Sequence, residues 1–571
     1  MPAPPVTDPA ELRRRARCWA ELDPDPENEA EIEAILQRSD PDEMAARFGT
    51  ELAFGTAGLR AEVGAGPMRM NCVVARHTAE GVAAVMHARE PDCRRRGVVV
   101  AHDARRGSNS FSATVVDTFR SRGIDVHLVD GPAPTPLAAF ALRQLGAGAA
   151  IVVTASHNPA SDNGIKVYWE DGAQIAPPLD AEIDAAIARA RLAALGSVGD
   201  DPLVVVGPDP GRVHHLGSTE TDSELVRAYV AAALALVPGP PAHPLPLAAT
   251  SLHGVGAPLL DRVLRGCGHG PVHHVAEQRD PDPRFGTVEF PNPEEPGALD
   301  LLFQVAARTG SAIAMANDPD ADRLAVAAEA RDGRWQALTG DQLGALLAWR
   351  MLELTEGIED RLLVNSVVSS RLLSAMAEDA GVHYAETLTG FKWLSRPATE
   401  HPQWHQLLAY EEALGYALGP EARDKDGITA ALVAADAACA LAESGRTVWD
   451  VLDDLARRHG AHVTDNGSVR LRGDGAGERL EALTAGLLTA PPDQLGGVEV
   501  ESLERLAPEV FRIRLEDGTR VALRPSGTEP KFKYYCEAVE PVATGEHPSK
   551  AANTAAVRLG YVVEALRARL T

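Results

Sequence analysis

Residues 151–166 read IVVTASHNPASDNGIK, an apolar run that breaks abruptly into polar side chains. Ser156 has Thr154, His157 and Asn158 beside it and Lys166 ten residues on, so one hydroxyl lies near a possible base, several hydrogen-bonding groups and an ammonium. A serine in such company can act as a nucleophile or carry a phosphoryl group; the bland alternative is a polar turn ended by Pro159. A second segment, 317–323, reads NDPDADR after the apolar run 312–316. Asp318, Asp320 and Asp322 repel one another at about 1 kcal/mol per close pair even with water-like screening, unless a cation sits among them. Hard oxygen donors suit Mg²⁺ or Mn²⁺. An EF-hand is excluded, because its sixth loop position is Arg323 instead of Gly and 324–328 reads as a strand.

A third segment, 524–531, reads RPSGTEPK. Arg524, Ser526, Thr528 and Lys531 bring a guanidinium, two hydroxyls and an ammonium, and Gly527 lets backbone N–H groups approach a ligand, which by composition makes a phosphate cradle. It is no Walker A loop, since G-x-x-x-x-G-K-[ST] occurs nowhere in the chain. Two smaller clusters are FGTAGLR at 54–60, able to place Arg60 over an anion, and YEEALGY at 410–416 followed by RDKDG at 423–427, whose carboxylates suit vicinal hydroxyls. Lysine is scarce, with six residues in all, so Lys166, Lys392, Lys425 and Lys531, each beside glycine, proline, serine or threonine in a loop-like setting, stand where an ammonium has a use that arginine lacks.

These segments must be held by something. Short β-branched runs at 98–101, 126–129 and 149–153 alternate with helical patterns at 110–122 and 137–145, the mark of βαβ units, whose strand ends are where ligands bind. Further strands are expected at 247–250, 312–316 and 363–365, long loops at 238–246 and 280–297, and a join between units at 204–217. Two amphipathic stretches, 10–22 and 27–38, predict a helical arm that packs on the first α/β unit. After about residue 457 strands at 468–471, 498–503, 510–515 and 520–523 precede a helix at 551–569, which is α+β in character. The chain is 571 residues long, with 45% hydrophobic and 24% charged residues, enough for several domains and unlike a disordered or disulfide-stapled chain. Its net charge of −26 disfavours nucleic-acid and membrane partners, so an anionic ligand must be met by local cations. Six scattered cysteines without C-x-x-C spacing, and no apolar leader or long apolar span, fit a cytoplasmic protein.

Taken together and in this order, TASHNP, DPDADR, the EEALGY loop and RPSGTEP resemble the α-D-phosphohexomutase superfamily, with the nearest likeness to its long-chain phosphoglucomutase and phosphopentomutase branch through FGTAGLR, TSLHGVGA (250–257), PNPEEPGAL (291–299) and TGFKW (389–393). The resemblance implies an α/β fold of four domains, three similar α/β units with mixed sheets and a smaller α+β C-terminal domain around a central cleft. Boundaries are then expected at 1–50 for the arm, 51–210, 211–335 and 336–455 for the three units and 456–571 for the last domain. It implies Ser156 as a phosphoserine, with one Mg²⁺ held by Ser156, Asp318, Asp320 and Asp322, Lys166 in proton transfer with His157 beside the serine, and Arg60 and Arg323 steadying the phosphoryl group. It further implies Thr389, Lys392, Glu411 and Lys425 on the sugar, and Arg524, Ser526, Gly527, Thr528 and Lys531 on the non-reacting phosphate. The implied activity is a phosphosugar mutase interconverting glucose 1-phosphate and glucose 6-phosphate, with mannose phosphates as further substrates, glucose 1,6-bisphosphate as activator, and a monomeric or weakly dimeric state. A phosphopentomutase or a sugar-bisphosphate synthase is the alternative within the family. One departure bears on this: where related loops read GEMSGH or GEESFG, Ala413 replaces the serine and the histidine is absent. A serine phosphatase is disfavoured, because no G-x-S-x-G occurs and a second phosphate anchor would be superfluous. A non-catalytic sugar-phosphate binder would never carry phosphate on Ser156.

Overall fold

Runs of Val, Ile and Ala too short for helices form the strands whose ends carry the reactive segments. The computed structural model describes residues 6–55, 58–194, 209–471, 475–508, 510–525 and 531–570. The chain divides into one unit of Met1–Ala337, Gly390–Glu400 and Leu414–Cys439 and another of Leu338–Thr389, His401–Ala413 and Ala440–Thr571.

In the first unit, β1 (Leu59–Glu62), β2 (Val98–His102), β3 (Val126–Pro132), β4 (Ala149–Val153), β5 (Asp162–Trp169) and β6 (Val213–His215) form a sheet in the order β1-β5-β4-β2-β3-β6. β2, β3, β4 and β6 run parallel, whereas β5 is antiparallel to both β4 and β1. β2 and β4 are buried along their whole length, the reason they read as unbroken apolar runs instead of alternating ones. Helices Ser108–Ser121 and Thr135–Leu145 pack on this sheet. The structure corrects the expected join at 204–217 in part: 204–208 lie outside the described residues, and Val213–His215 is a strand added beside β3.

Three N-terminal helices, Pro9–Leu22, Pro26–Arg38 and Pro41–Phe48, each begin with an Asp-Pro pair whose aspartate side chain accepts a backbone N–H of the first turn, the pairing of N-cap and N1 residues that favours helix initiation. The third has only eight residues and shows too little periodicity to be read in advance. Leu12, Trp19, Ile32, Ile35 and Phe48 are buried in one core with Val98, Ile151 and Ile165, so the arm is part of the first unit's interior.

The second sheet of this unit comprises β7 (Leu247–Thr250), β8 (Val272–His274), β9 (Ile313–Ala316), β10 (Ala325–Glu329) and β11 (Trp335–Ala337), in the order β11-β10-β9-β7-β8. β7, β8 and β9 are parallel and β10 returns antiparallel to β9, so the acidic segment is the turn between two paired strands. The second unit has a parallel set in the order β13-β12-β14, formed by β12 (Arg361–Ser366), β13 (His383–Thr387) and β14 (His405–Glu411). β15 (Gly415–Leu418) belongs to the first unit, where Gly415 bridges to Arg323.

The last sheet, in the order β16-β21-β20-β19-β18-β17, is built of β16 (Ala461–Arg470), β17 (Gln494–Leu495), β18 (Val498–Ala507), β19 (Val510–Leu515), β20 (Arg520–Pro525) and β21 (Lys531–Glu540). All its pairings are antiparallel, and the helix Pro548–Leu570 packs Leu559, Val562 and Leu566 against Phe511, Ile513, Leu523 and Phe532. Antiparallel hairpins need no crossover helices, hence the α+β texture of this end of the chain. No single described helix is long and apolar enough to cross a membrane.

Candidate active site

β4 delivers the chain to Ser156 three residues after its last strand residue, and the loop turns back at once into β5. Ser156 is buried and adopts φ of 53°, a left-handed conformation that a residue with a Cβ takes at a cost of about 1–2 kcal/mol. Its Oγ donates to Asp318 Oδ2 at 2.9 Å, and His157 Nδ1 lies 3.1 Å from the same oxygen. Burial, then the charges of Arg323 and Arg60, push the His157 imidazole well below its ordinary range, so it stands neutral beside the hydroxyl.

The loop-like setting expected for Lys166 is corrected by the fold: the residue lies in mid-strand in β5, opposite Val152 of β4. The glycine near it is a strand residue that admits the close approach of β1, since a Cβ on Gly164 would stand 2.4 Å from the Leu59 carbonyl oxygen. The strand aims the Lys166 ammonium, 1% exposed, at Asp320 Oδ2 (2.6 Å) and Asp322 Oδ2 (2.5 Å). Lys425 Nζ lies 3.4 Å from Asp322 Oδ2, and Phe391 places its ring 5.2 Å from the same ammonium. Arg60 Nη1 donates to Asn158 Oδ1 at 3.1 Å on the serine loop.

The charges divide the triplet. Burial, reinforced by the negative charge of Asp320 and Asp322, drives the Asp318 carboxyl well above the usual range. Burial would also raise Asp322, but Lys166, Lys425 and Arg323 outweigh it and hold that carboxylate far below, and Lys166 with the Thr135 hydroxyl keeps Asp320 low despite burial. Burial opposes the Lys166 ammonium, yet Asp320 and Asp322 prevail and raise it, so it is charged.

Asp318, Asp320 and Asp322 each present a carboxylate oxygen within 4.8 Å of the others, the one group of this kind among the described residues. Asp320 Oδ1 and Asp322 Oδ1 are buried without a hydrogen-bond partner. Buried carboxylate oxygens left over in an all-oxygen set fit a hard divalent cation. Two glycines close on this turn from either side. A Cβ on Gly254 would stand 2.3 Å from Pro319 Cα, and one on Gly427 would stand 2.2 Å from the Arg323 carbonyl oxygen. Thr135, which sequence reasoning missed, donates its hydroxyl to Asp320 Oδ2 at 2.5 Å and its N–H to the Asp320 carbonyl at 3.0 Å. Its only local signal is the Pro-Thr-Pro start of a helix after β3.

Thus Arg60, Ser156, His157, Lys166, the three aspartates, Arg323 and Lys425 come together in the first unit. Lys392 is in the same unit but in a short helix, Phe391–Leu394, not the loop expected. Thr389, Glu411, Arg524 and Lys531 belong to the second unit. There Glu411 ends β14, and Lys531, also expected in a loop, opens β21, where Arg524 of β20 pairs in register with Lys533. Ser526, Gly527 and Thr528 lie outside the described residues. Glu412, next to Glu411, accepts from the hydroxyls of Ser366 (3.2 Å) and Ser369 (3.1 Å). Burial, then the charges of Glu411 and Asp341, push its carboxyl up to about 8.

Four family profiles match the chain: phosphoglucomutase/phosphomannomutase α/β/α domain I at 51–194, domain II at 228–333, domain III at 339–459 and the C-terminal domain at 485–550. A phosphopentomutase of Mus musculus is 32% identical over 573 residues, covering 93% of this chain and 91% of its own length. A probable phosphomannomutase of Haemophilus influenzae is 35% identical over 486 residues, covering 82% and 93%. Among solved structures, a phosphoglucomutase/phosphomannomutase family protein from Burkholderia thailandensis shares the fold with a TM-score of 0.66 at 21% identity, over 90% of this chain and 96% of its own.

Proposed function

Because the chain belongs to the phosphoglucomutase/phosphomannomutase family, and is therefore a phosphomutase, an isomerase that moves phosphate within its substrate, we propose that Ser156 is its phosphoryl carrier and a hexose phosphate its substrate, with glucose 1-phosphate and glucose 6-phosphate interconverted. The observation that carries this reading is the buried hydroxyl of Ser156 at 2.9 Å from one of three converging carboxylates, with a charged, buried lysine on the other two. Phosphoryl transfer between oxygens needs positioning and charge neutralisation more than new covalent chemistry from the protein.

In this reading the Oγ–P bond of phosphorylated Ser156 breaks as a P–O bond forms to the free sugar hydroxyl. The sugar bisphosphate then returns its other phosphoryl group to Oγ. In each transfer the charged Lys166 gives a proton to the leaving oxygen, Ser156 Oγ in the first and the sugar oxygen in the second, and recovers one from the attacking hydroxyl, while neutral His157 orients the serine. Arg60 and Arg323 steady the moving phosphoryl group. Thr389, Lys392, Glu411 and Lys425 hold the sugar, and Arg524, Ser526, Gly527, Thr528 and Lys531 hold the phosphate that is not reacting. Asp318, Asp320 and Asp322, with an oxygen of the phosphoserine, would hold one Mg²⁺, which when bound supplies charge neutralisation at the phosphoryl oxygens. Glucose 1,6-bisphosphate loads Ser156 and so activates the enzyme.

A pentose phosphate is the second reading, favoured by the phosphopentomutase relative and by Ala413 in the sugar loop. Phosphorus NMR of glucose, mannose and ribose 1-phosphates with enzyme, Mg²⁺ and a trace of sugar bisphosphate separates them. Glucose 1-phosphate is expected to convert fastest; faster conversion of ribose 1-phosphate would establish the second reading. Ser156→Ala is expected to abolish turnover and to remove the phosphoryl mass increment from the intact protein, with an unchanged circular dichroism spectrum.

A further inference from the structure

Ser156 keeps an unfavourable backbone conformation in a loop that must also bear a dianionic phosphoryl group, so something must hold the loop. The segment HDARRGS at 102–108, at the end of β2, supplies it. Arg105, 4% exposed, uses its two terminal nitrogens on four carbonyl oxygens of the serine loop: Nη2 donates to Ser156 (2.5 Å) and Asn158 (2.7 Å), Nη1 to Pro159 (2.8 Å) and Asp162 (3.1 Å). Asp103, 1% exposed, lies 3.3 Å from Arg105 Nε and accepts from the Thr154 hydroxyl at 2.7 Å. That hydroxyl in turn accepts the Ser156 N–H at 2.8 Å. Asp103 is itself tied down by the Ser108 hydroxyl at 2.6 Å and the Arg105 N–H at 3.0 Å. From the other side the ring of Phe285, in the long loop at 280–297, lies 4.9 Å from the Arg105 guanidinium carbon.

We propose that Arg105, Asp103 and Thr154 form a clamp of positioning residues that sets the Ser156 hydroxyl in its transfer-competent place without touching substrate. The four Nη hydrogens match four carbonyl acceptors, a planar fork that an ammonium cannot reproduce. The Thr154 hydroxyl joins the clamp to the serine's own N–H, so the chain of contacts runs from the guanidinium through a carboxylate to the reacting residue. Such residues influence rate through geometry, where displacements of about 1 Å cost about a hundredfold. The inference rests on Ser156 being the phosphoryl carrier.

The test is a set of full-length variants, Thr154→Val, Thr154→Ser and Arg105→Lys, assayed for kcat, KM and the rate at which glucose 1,6-bisphosphate loads Ser156, read by intact mass. Thr154→Val keeps the shape and removes the hydroxyl; it is expected to lower kcat and the loading rate together by at least about tenfold with KM within about twofold. Thr154→Ser is expected to recover most of that loss. Arg105→Lys is expected to follow the valine variant. If Thr154→Val and Arg105→Lys fold, lose thermal stability and retain wild-type kcat and loading rate, the clamp is only structural and the proposal fails. Wild-type protein that takes no phosphoryl group from the bisphosphate would instead overturn the carrier role of Ser156, and this inference with it.

Discussion

Lys166 and Glu412 are two buried titratable side chains whose surroundings push them in ways a sequence does not print. The Lys166 ammonium is charged because two carboxylates at 2.5 and 2.6 Å outweigh its desolvation. Glu412 has hydroxyls and two nearby carboxylates instead of a cation, and its carboxyl rises from 4.5 to about 8. Between those values the folded chain keeps a proton that the unfolded chain releases. Stability contributed by the neutral carboxyl is therefore full below pH 4.5 and is lost as pH rises to about 8, at up to about 1.4 kcal/mol per pH unit. Glu412→Gln, neutral at every pH, is expected to gain stability over wild type progressively from pH 5 to pH 8. Urea unfolding at both pH values checks this, and an equal difference at the two would refute the buried neutral carboxyl.

At the scale of elements, the acidic turn between β9 and β10 is shaped by what presses on it. Gly254, within the segment between β7 and the helix Ala257–Gly266, and Gly427, at the start of the helix Gly427–Glu443, leave no room for a methyl group against Pro319 and the Arg323 carbonyl. Neither needs a left-handed conformation; the constraint is space. The Asn317 side chain, which donates to the Arg323 carbonyl at 2.7 Å, would also be displaced by a Cβ on Gly427. Gly254→Ala and Gly427→Ala are each expected to weaken Mn²⁺ binding by about tenfold or more, measured by titration calorimetry, because the carboxylates lose their convergence. An unchanged affinity in a folded variant would show that the turn tolerates the displacement.

For the whole molecule, a net charge of −26 makes every bound anion depend on fixed local cations. Those cations are concentrated: Lys166, Lys425, Arg60 and Arg323 in the first unit, and Arg524 and Lys531 at the facing ends of β20 and β21 in the second. Arg524→Ala is expected to raise KM for the sugar phosphate by about ten- to a hundredfold, the loss of a charge-assisted contact of about 1.5–3 kcal/mol, with a smaller effect on kcat. Steady-state kinetics with wild-type constants in that variant would remove Arg524 from the proposed anchor.

The strands at 149–153, 247–250 and 510–515 were legible to the residue or nearly so, because buried strands flanked by turn residues leave a compositional trace. The serine, the three aspartates and the RPSGTEP segment were legible too, since their residue types and spacing are local. The sequence alone therefore determined the α/β class, the family and the chemistry on offer. It did not place Lys166 in a strand, and it did not single out Thr135, Asp103 or Arg105, whose partners lie tens to nearly two hundred residues away along the chain. Which carboxylate stays neutral, which lysine is charged and what holds Ser156 in place depend on burial and on contacts across the sheet. Desolvation and Coulomb energies are set by distance in space, and only the folded arrangement specifies those distances.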